Sequence, residues 1–403
     1  MRHVGTTHAA IAAPLSSGCV DAGKVGVASD CATRANPLTD FGYDRIESHV
    51  PMLNPKPSFE VRVGYNTPVH GVVECVAMIE AHRQLHQETD FWGCVDIGGT
   101  KVAVSLARNT LDGVHWVGRW TEATQKAGPP DALAAQVLRM LDQAAESANV
   151  DKLTAVGVSS CGPFRSVAGL IELASPNICG GLAGPGRELP NRWTSIPLEG
   201  PLRQQYAVVR IANDGVAALE AERLWGALRG VPNCAYVTWS TGIGGGLCVD
   251  GHVLRGKNSN AGHIGHMLVG RDAGALCGCG NRDDVEALIS GSSLPHRFGR
   301  DAGTLVGAAR SRDAEAVEIV SELCSILGRA IYNLAVTLDL SAVSLGGSIF
   351  FHHHEFLLPQ ITRELERRLP ALTRGVQLVP AGLGERVGDY AALALVAPEL
   401  ASV

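Results

Sequence analysis

The sequence predicts an α/β protein of two related lobes that face each other across a central cleft, preceded by an N-terminal extension. Two observations lead to this fold class. From Phe91 onward, apolar strands alternate with helix-length amphipathic segments, as in proteins that layer helices on sheets. In addition, a strand that ends in a glycine turn and continues directly as another strand occurs twice, at 96–100 and at 241–246. One such hairpin in each half favours two lobes of similar design.

Size and composition limit the possible functions. The 403 residues provide room for two domains and a sizeable core. A net charge of −6 leaves no basic stripe for nucleic acid, and no apolar run reaches the roughly 18 residues of a membrane span. The start only loosely resembles a secretory leader, because Pro14 interrupts a short apolar core, so we expect a cytoplasmic protein. Eleven cysteines, scattered and odd in number, favour reduced thiols over a disulfide framework.

Residues 1–88 differ in composition from the rest, and we expect a poorly ordered extension there. They are rich in Gly, Pro, Thr and Asn, and one amphipathic helix is predicted at 71–87. A DNA-binding helix-turn-helix needs two or three short successive helices. The sequence indicates only one, which argues against a DNA-binding module.

The elements of the first lobe follow from apolar periodicity. A strand from Phe91 runs into the first glycine turn, and strands at 101–106 and 115–120 continue as a meander. Leu133, Val137 and Leu141 share one face of a helix predicted over 131–148. Strands at 153–159 and 208–212 complete a small lobe over 89–213, to which a C-terminal helix within 386–403 is added.

The second lobe, 214–385, repeats this alternation. After a helix at 215–228, a strand at 235–240 runs into the second glycine loop, and another strand follows at 247–249. The remaining prediction comprises one or two helices within 313–338, a strand at 342–345, a helix at 355–368, a strand at 376–379 and a last helix at 389–395. The run His352–His354 is more typical of a solvent-exposed helix start than of a metal cluster.

Both glycine loops have the composition of a phosphate site. Glycines let backbone amides approach a phosphate closely, and each loop adds hydroxyl or cationic donors. Neither a P-loop nor a dinucleotide-binding signature is present. Each loop alone is equally compatible with a tight hairpin, but two in one chain favour phosphate binding. The residues concerned are Gly98, Gly99, Thr100 and Lys101 in the first loop, and Thr241, Gly242, Gly244 and Gly245 in the second.

Two further places carry carboxylates where chemistry is expected. Asp96 ends the first strand and is suited to holding Mg²⁺ through water. The pair Asn213-Asp214 follows a short strand, so that Asp214 would point into the cleft and take a proton from an attacking hydroxyl. The alternative is a helix N-cap, for which Asn and Asp are favoured residues.

The segment 262–291 predicts a metal-stapled loop. His266, Cys277 and Cys279 are soft ligands at a spacing that one zinc ion can gather, and Asp284 occupies the next ligand position. The alternative is a glycine-rich turn with two buried free cysteines. His263, His266 and Glu286 would line a pocket that recognises hydroxyl groups, as a sugar requires.

Together these motifs resemble the ROK family of sugar kinases and repressors, within the actin-like ATPase and hexokinase superfamily. The resemblance covers about residues 91–400. It rests on DIGGTK at 96–101, the Asn213-Asp214 pair, STGIGGGL at 240–247, AGHIGHM at 261–267 with CGCG at 277–280, and the Gly346-Gly347 pair. It implies two ribonuclease-H-like lobes, ATP and Mg²⁺ in the cleft, and phosphoryl transfer to a primary hydroxyl of a sugar.

Residue by residue, the resemblance makes Asp214 the general base and Asn213 its sugar-contacting neighbour. It places Gly98, Gly99, Thr100 and the loop 241–246 around phosphates and Gly346 and Gly347 near adenosine. It further makes Glu286 a sugar-binding carboxylate, His266 both a structural zinc ligand and a sugar contact, and Cys277 and Cys279 zinc ligands. Members of the family are commonly homodimers.

Two departures from the family pattern bear on metal and substrate. Asp284 stands where the family usually has a third zinc cysteine, and aspartate is a harder, weaker zinc ligand. His263 replaces the glutamate usual in the family's glucokinases and is similar to some bacterial N-acetylmannosamine kinases. We therefore expect an ATP-dependent kinase for an amino sugar, a hexose or a C7-cyclitol of a specialised pathway. The alternatives are a sugar-responsive repressor of the same family and an ordinary glucokinase.

Overall fold

The computed structural model describes residues 91–397 except 111, 112 and 186. The predicted extension and its helix at 71–87 lie outside these residues. The described chain contains two five-stranded sheets and one small three-stranded sheet. The expected two-lobed α/β architecture is confirmed.

The first large sheet has the strand order β3-β2-β1-β4-β8. Its first three strands form an antiparallel meander, and β4 and β8 add parallel to β1. The long crossovers that parallel pairing requires carry the helices α1 and α2. The elements are β1 (Phe91–Ile97), β2 (Lys101–Thr110), β3 (Gly113–Ala123), α1 (Ala132–Ser147), β4 (Ala155–Ser160), β5 (Phe164–Val167), β6 (Leu170–Leu173), β7 (Ile196–Pro197), α2 (Glu199–Gln205) and β8 (Val209–Asn213).

The second large sheet, β11-β10-β9-β12-β13, repeats this order strand for strand. The strands β9, β10 and β11 form the antiparallel meander, and β12 and β13 extend it in parallel. The elements are α3 (Asp214–Leu224), β9 (Cys234–Trp239), β10 (Ile243–Val249), β11 (His252–Val253), α4 (Val285–Ile289), α5 (Leu294–Phe298), α6 (Ala302–Arg310), α7 (Ala314–Leu338), β12 (Ala342–Gly346), α8 (Ser348–Glu366), α9 (Pro370–Thr373), β13 (Gln377–Pro380) and α10 (Val387–Ala394).

The helix that follows each large sheet packs on the other large sheet. Helix α3 follows the final strand of the first sheet but packs on β9 and β10 of the second. Helix α10 follows β13 and packs back on β1 and β4, where the Ala392 carbonyl lies directly over Gly157. Between the sheets, Ala391 of α10 meets Val216 and Ala217 of α3. Glycine and alanine predominate at these contacts, and their small size lets the backbones approach closely.

The outer faces of the sheets bury the larger cores. Helix α1 covers the first sheet through Leu133, Val137 and Leu141, as its periodicity predicts. Helix α7 lies in the core of the second half with Leu323, Leu327 and Ile331. It is long and apolar enough to cross a membrane, but it is mostly buried against neighbouring helices, which is typical of a core helix.

Two predicted boundaries are wrong, and several short elements were not predicted. The second glycine loop was expected over 241–246, but β10 already begins at Ile243, so Gly244, Gly245 and Gly246 are strand residues. Helix α8 begins at Ser348 instead of residue 355, because Gly347 caps it and Phe350 is buried, so the three histidines lie inside the helix. The sheet β5-β6-β7 and the helices α2, α4, α5 and α6 were not predicted, because their segments are too short to show a period.

Candidate active site

A cleft forms where the carboxyl ends of the parallel strands in the first sheet meet the second half. Strand β1 ends beside Asp96, β4 ends before Cys161, and β8 ends at Asn213. Since β1, β4 and β8 are adjacent, these three positions lie side by side, with Asp96 opposite Ser159 and Ser160 opposite Asn213. Parallel strands of open α/β sheets place ligands at this edge.

Asp214 stands at the first turn of α3, at the floor of this cleft. Asn213 is the N-cap, and its Oδ1 accepts a hydrogen bond from the Gly215 amide at 3.1 Å. Asp214 Oδ1 accepts from the same amide at 2.8 Å. The cap and the cleft carboxylate are thus two adjacent residues, so the capping role expected as an alternative falls to Asn213.

The environment of Asp214 suits a proton acceptor. Its side chain is open to the cleft, but protein surrounds it on the other sides. This partial burial, together with the negative charges of Asp96 and Glu286, raises the pKa of Asp214 to about 6 despite the Gly215 hydrogen bond. The pKa of Asp96 is also raised by burial, although Arg119 and Lys101 oppose the shift. A carboxylate with a pKa just below neutrality accepts a proton readily at pH 7.

The first hairpin, 97–101, is a tight turn held by the neighbouring strands. The Gly98 amide donates to the Lys101 carbonyl at 2.9 Å, and the Thr124 hydroxyl donates to the Gly98 carbonyl at 2.7 Å. The side chains of Thr100 and Lys101 are exposed. Gly99 faces the cleft wall, because a Cβ there would lie 3.0 Å from Asn177 Cβ.

The second hairpin, 239–243, is tied to the segment that follows the metal-type loop. The Gly291 and Ser292 amides donate to the carbonyls of Ser240 and Thr241 at 2.8 and 3.1 Å. Thr241 itself is exposed, and Gly242 lies against Glu286, whose Oε2 would be 2.8 Å from a Cβ at that position. A phosphate approaching this turn would meet backbone and hydroxyl groups.

The remaining predicted glycines also have a packing role. A Cβ on Gly245 would lie 2.5 Å from the Tyr236 carbonyl, and one on Gly244 would come within 3.9 Å of Asp214 Oδ1. Gly346 lies over the Tyr236 ring, and Gly347 has a φ of 85° and caps α8. The fold therefore requires glycine at three of these positions independently of any phosphate.

On the opposite side of Asp214, the structure brings His263 to Asn213. A Cβ added to Gly162 would lie 2.8 Å from His263 Nε2 and 3.0 Å from Asn213 Nδ2, so both side chains converge on one point. Burial and the neighbouring His266 lower the pKa of His263, although the Asn260 backbone opposes the shift, and the buried Nδ1 of His263 has no hydrogen-bond partner among the described residues. Neutral imidazole and amide groups of this kind recognise hydroxyls.

The four predicted metal ligands come together. Their ligand atoms all lie within 4.8 Å of one another, and His266 Nδ1 is 3.0 Å from Asp284 Oδ2, 3.8 Å from Cys279 Sγ and 4.0 Å from Cys277 Sγ. Bond lengths of about 2.0 to 2.3 Å in a tetrahedron separate ligand atoms by about 3.3 to 3.8 Å. The donor set suits zinc, and the observed separations lie on both sides of the range for a tetrahedral site.

Asp284 is also the N-cap of a helix. It is fully buried, and its Oδ1 accepts the Ala287 amide at 2.7 Å as the N-cap of α4. Burial tends to raise the pKa of Asp284, but the hydrogen bonds from His266 and Ala287 lower it overall. A cysteine at this position would lack a carboxylate oxygen for the cap.

Glu286 connects the metal group to the second hairpin. Its Oε2 accepts the Ile243 amide at 3.0 Å, and its Oε1 accepts the Cys277 thiol at 3.6 Å. The carboxylate therefore links the start of β10 to a metal ligand while remaining part of the cleft wall.

Sequence reasoning missed two residues of this cleft. Cys161 follows β4 and lies close enough to Asp214 and Asp96 that both charges, with burial as the largest cause, raise the pKa of its thiol to about 12. Asn177 lies against Gly99 in a segment without strand or helix periodicity. The dipeptide Pro176-Asn177 is only a turn signal in sequence, and nothing local indicates the cleft.

The family is decided by a match along almost the whole described chain. The family model described as ROK family matches residues 92–399. The chain belongs to the ROK family. The fold expectation of two actin- or hexokinase-like lobes is confirmed with it.

Relatives of this ROK protein include two kinds of sugar kinase. It is 30% identical over 328 residues to a glucokinase of Aeropyrum pernix, covering 75% of this chain and 95% of that protein. It is 28% identical over 264 residues to an N-acetylmannosamine kinase of Haemophilus influenzae, covering 63% and 79%.

Solved ROK structures resemble it as well. A ROK glucokinase from Streptomyces griseus in complex with glucose and AMPPNP has a TM-score of 0.56 and 26% identity, covering 75% of this chain and 97% of that chain. A ROK transcriptional regulator, a homologue of the E. coli MLC protein, has a TM-score of 0.63 at 19% identity, covering 81% and 89%. The second likeness concerns the fold alone.

Proposed function

We propose that this ROK protein is an ATP-dependent kinase that transfers the γ-phosphate to a primary hydroxyl of a sugar or sugar-like acceptor. The observation that carries the proposal is Asp214, an open carboxylate with a pKa of about 6 between two glycine hairpins and the His263–Asn213 pair. Kinase relatives and the AMPPNP complex of a ROK glucokinase support the reaction class.

In the proposed reaction, the acceptor hydroxyl lies on Asp214. As the oxygen forms its bond to the γ-phosphorus, Asp214 takes the hydroxyl proton, the bond from that phosphorus to the β-γ bridging oxygen breaks, and ADP leaves. Asn213 and His263 orient the hydroxyls of the acceptor. Positioning and charge stabilisation account for most of the rate in this chemistry, since the transition state is loose.

The nucleotide is assigned to the two hairpins and the start of α8. Backbone amides of Gly99 and Gly242 would hold phosphate oxygens, with Gly98, Thr100, Lys101 and Thr241 alongside and Mg²⁺ held near Asp96. An apolar pocket suited to adenine opens beside Gly346, lined by Phe350, Phe351, His354 and Pro380. Mg²⁺ would neutralise phosphate charge.

We assign a structural zinc ion to His266, Cys277, Cys279 and Asp284. It would fix the loop that carries His263 and Glu286, so that these side chains meet the acceptor in one geometry. The altered positions His263 and Asp284 favour an amino sugar or a C7-cyclitol over plain glucose. A cytoplasmic homodimer remains part of the proposal, as do lobes at 89–213 and 214–385.

The repressor alternative is less well supported. Its DNA-binding module would have to lie within residues 1–90, which are outside the described chain. The intact first hairpin, which we assign to the nucleotide, favours catalysis over sugar sensing alone. Binding of the purified full chain to DNA at moderate salt would favour the repressor.

The decisive experiment combines an acceptor panel with one variant. We expect ADP release in a coupled assay with at least one of N-acetylmannosamine, glucose, kanosamine and a C7-cyclitol. Asp214→Asn should reduce kcat by about 10²- to 10⁴-fold, since it removes the base, while acceptor binding by calorimetry survives. Asp151→Asn, an exposed residue beyond α1, is the control. Retention of most turnover in Asp214→Asn would rule out its role as base.

A further inference from the structure

One loop of the first half crosses the cleft to the metal-type loop. Its described residues are 177–185 and 187–193, and the buried Asn191 closes its base with four hydrogen bonds. Asn191 Oδ1 accepts the Gly180 and Trp193 amides at 2.7 and 3.0 Å, and its Nδ2 donates to the Ile178 and Lys126 carbonyls at 2.9 and 2.8 Å. The loop is therefore fixed at its base and projects as a unit.

The far end of this loop lies on the metal-type loop. A Cβ on Gly184 would be only 2.7 Å from the Gly278 carbonyl and 2.9 Å from the Gly280 amide, so the two backbones are in direct contact. Gly278 and Gly280 flank the proposed ligand Cys279. The crossing loop thus contacts the metal-type loop on both sides of Cys279.

Arg187 of the crossing loop lies between the first hairpin and the metal-type loop. Its Nη1 donates to Asn177 Oδ1, and Asn177 lies against Gly99 of the first hairpin. Its Nη2 lies 3.0 Å from the place a Gly278 Cβ would take. The guanidinium is exposed and contacts both the metal-type loop and the residue that packs on the first hairpin.

A second cation stands at the base of the loop that carries Arg187, where the Lys126 carbonyl accepts from Asn191. Lys126 is half-buried at the base of the loop, and burial with the Arg187 charge lowers the pKa of its amine. Among the ion pairs of the described residues, which include Arg203, Arg223 and Arg255, none involves Arg187 or Lys126. Two neighbouring unpaired cations are unfavourable by themselves and form a ready site for an anion.

We propose that Arg187 and Lys126 form a subsite for a phosphate-type oxyanion at the acceptor side of the cleft. Guanidinium binds such groups in a bidentate manner, and ammonium adds a point charge. The oxyanion comes from one of two sources. It is either a phosphate or carboxylate carried by the acceptor, or the phosphoryl group in transfer. The biological meaning of this subsite rests on the proposed kinase function. Its first test measures phosphate binding and does not require kinase activity.

The first experiment measures binding of inorganic phosphate to the full chain by ³¹P line broadening. Arg187→Gln and Lys126→Gln should each weaken binding at least about tenfold, as expected for loss of a charged partner, and Arg187→Lys should retain part of it. Arg192→Gln and Lys152→Gln, both exposed cations, should bind like wild type. Equal binding in all five variants would overturn the subsite.

The second experiment separates the two sources. If Arg187-dependent phosphate binding persists with AMPPNP bound, and Arg187→Gln raises KM for glucose 1-phosphate but not for glucose, the acceptor carries the anion. If AMPPNP displaces the phosphate and kcat falls with both acceptors, the group in transfer is bound. Unchanged kcat and KM for both acceptors would count against either source. Arg187-dependent binding in a protein without any kinase turnover would remove the kinase proposal and leave the subsite intact.

Discussion

The two glycine hairpins occupy equivalent places in two sheets of identical strand order, yet they are held in different ways. The first is fixed by its own sheet, through the Thr124 hydroxyl and the end of β3. The second is fixed from outside its sheet, by Glu286 and the segment after α4. Because Glu286 also contacts Cys277, a metal ion would influence the second hairpin more directly than the first. The first hairpin is thus supported within its own sheet, and the second is supported by the segment that carries the proposed metal ligands.

Loss of the metal should therefore affect the hairpins unequally, and this is the largest difference we expect between them. Cys277→Ser should lower zinc content from about one ion per chain to near zero and reduce kcat/KM at least about tenfold. Hydrogen exchange should rise at 240–243 and stay unchanged at 97–101. Cys324→Ala, a buried cysteine on α7, serves as control. Equal loosening of both hairpins would contradict the comparison.

Substitution of a glycine should have different effects in the two halves. Ala at position 246 would bring its Cβ to 2.6 Å from the Gly215 carbonyl, so Gly246→Ala should lower the free energy of unfolding by about 1 to 3 kcal/mol. Gly98→Ala meets only the Lys101 carbonyl at 3.3 Å and should leave stability nearly unchanged while raising KM for ATP. Denaturant titration and steady-state kinetics on both variants provide the test, and the reverse pattern would refute it.

Removing one support of each hairpin sharpens the comparison at a smaller scale. Thr124→Val loses the hydroxyl bond to Gly98 and should cost about 1 kcal/mol of unfolding free energy. Glu286→Gln keeps an acceptor for the Ile243 amide, so stability should change less, but loss of the charge should raise the acceptor KM. If Glu286→Gln left the acceptor KM unchanged while Thr124→Val raised it, the assigned roles would be wrong.

The smallest expected effect is a pH dependence centred on Asp214. Since its pKa is about 6, kcat/KM should fall below that pH and be about tenfold lower at pH 5 than its plateau. The folded-state pKa lies above the ordinary value, so this group favours folding at low pH and the benefit is lost as pH rises from about 4 to 6. Asp214→Asn should therefore be slightly more stable at pH 7, by about 1 kcal/mol or less because cleft water screens the charge. Equal stability of variant and wild type at pH 7 and at pH 4 would contradict the shift.

Local patterns predicted much of this molecule. Helix α1 and the strands β1, β4 and β9 follow from periodicity, and the four metal-type ligands converge as their spacing indicates. The identity of the lobes as repeated sheets also follows from two similar hairpins. The chemical roles of these residues remain predictions until tested.

The missing parts depend on contacts distant in sequence. Gly246 was read as a loop residue, but it is a strand residue that lets α3 approach. Arg187 lies in a turn-rich segment and gains meaning only because Gly184 meets Gly278, 94 positions further on. The link from Glu286 to Ile243 is equally invisible, since a short helix and a strand start are brought together by tertiary packing.

The exchange of helices between the halves has a consequence for how the chain is made. Trp92, Cys94 and Ala155 of the first sheet are covered by Ala392 and Leu393, close to the other end of the chain. During synthesis the first sheet, complete at Asn213, therefore emerges with one apolar face uncovered until Ala392 is made, 179 residues later (392 − 213). The first half therefore cannot complete its packing on the ribosome before the second half is made. A chain truncated before Val387 would lack the helix that covers one face of the first sheet.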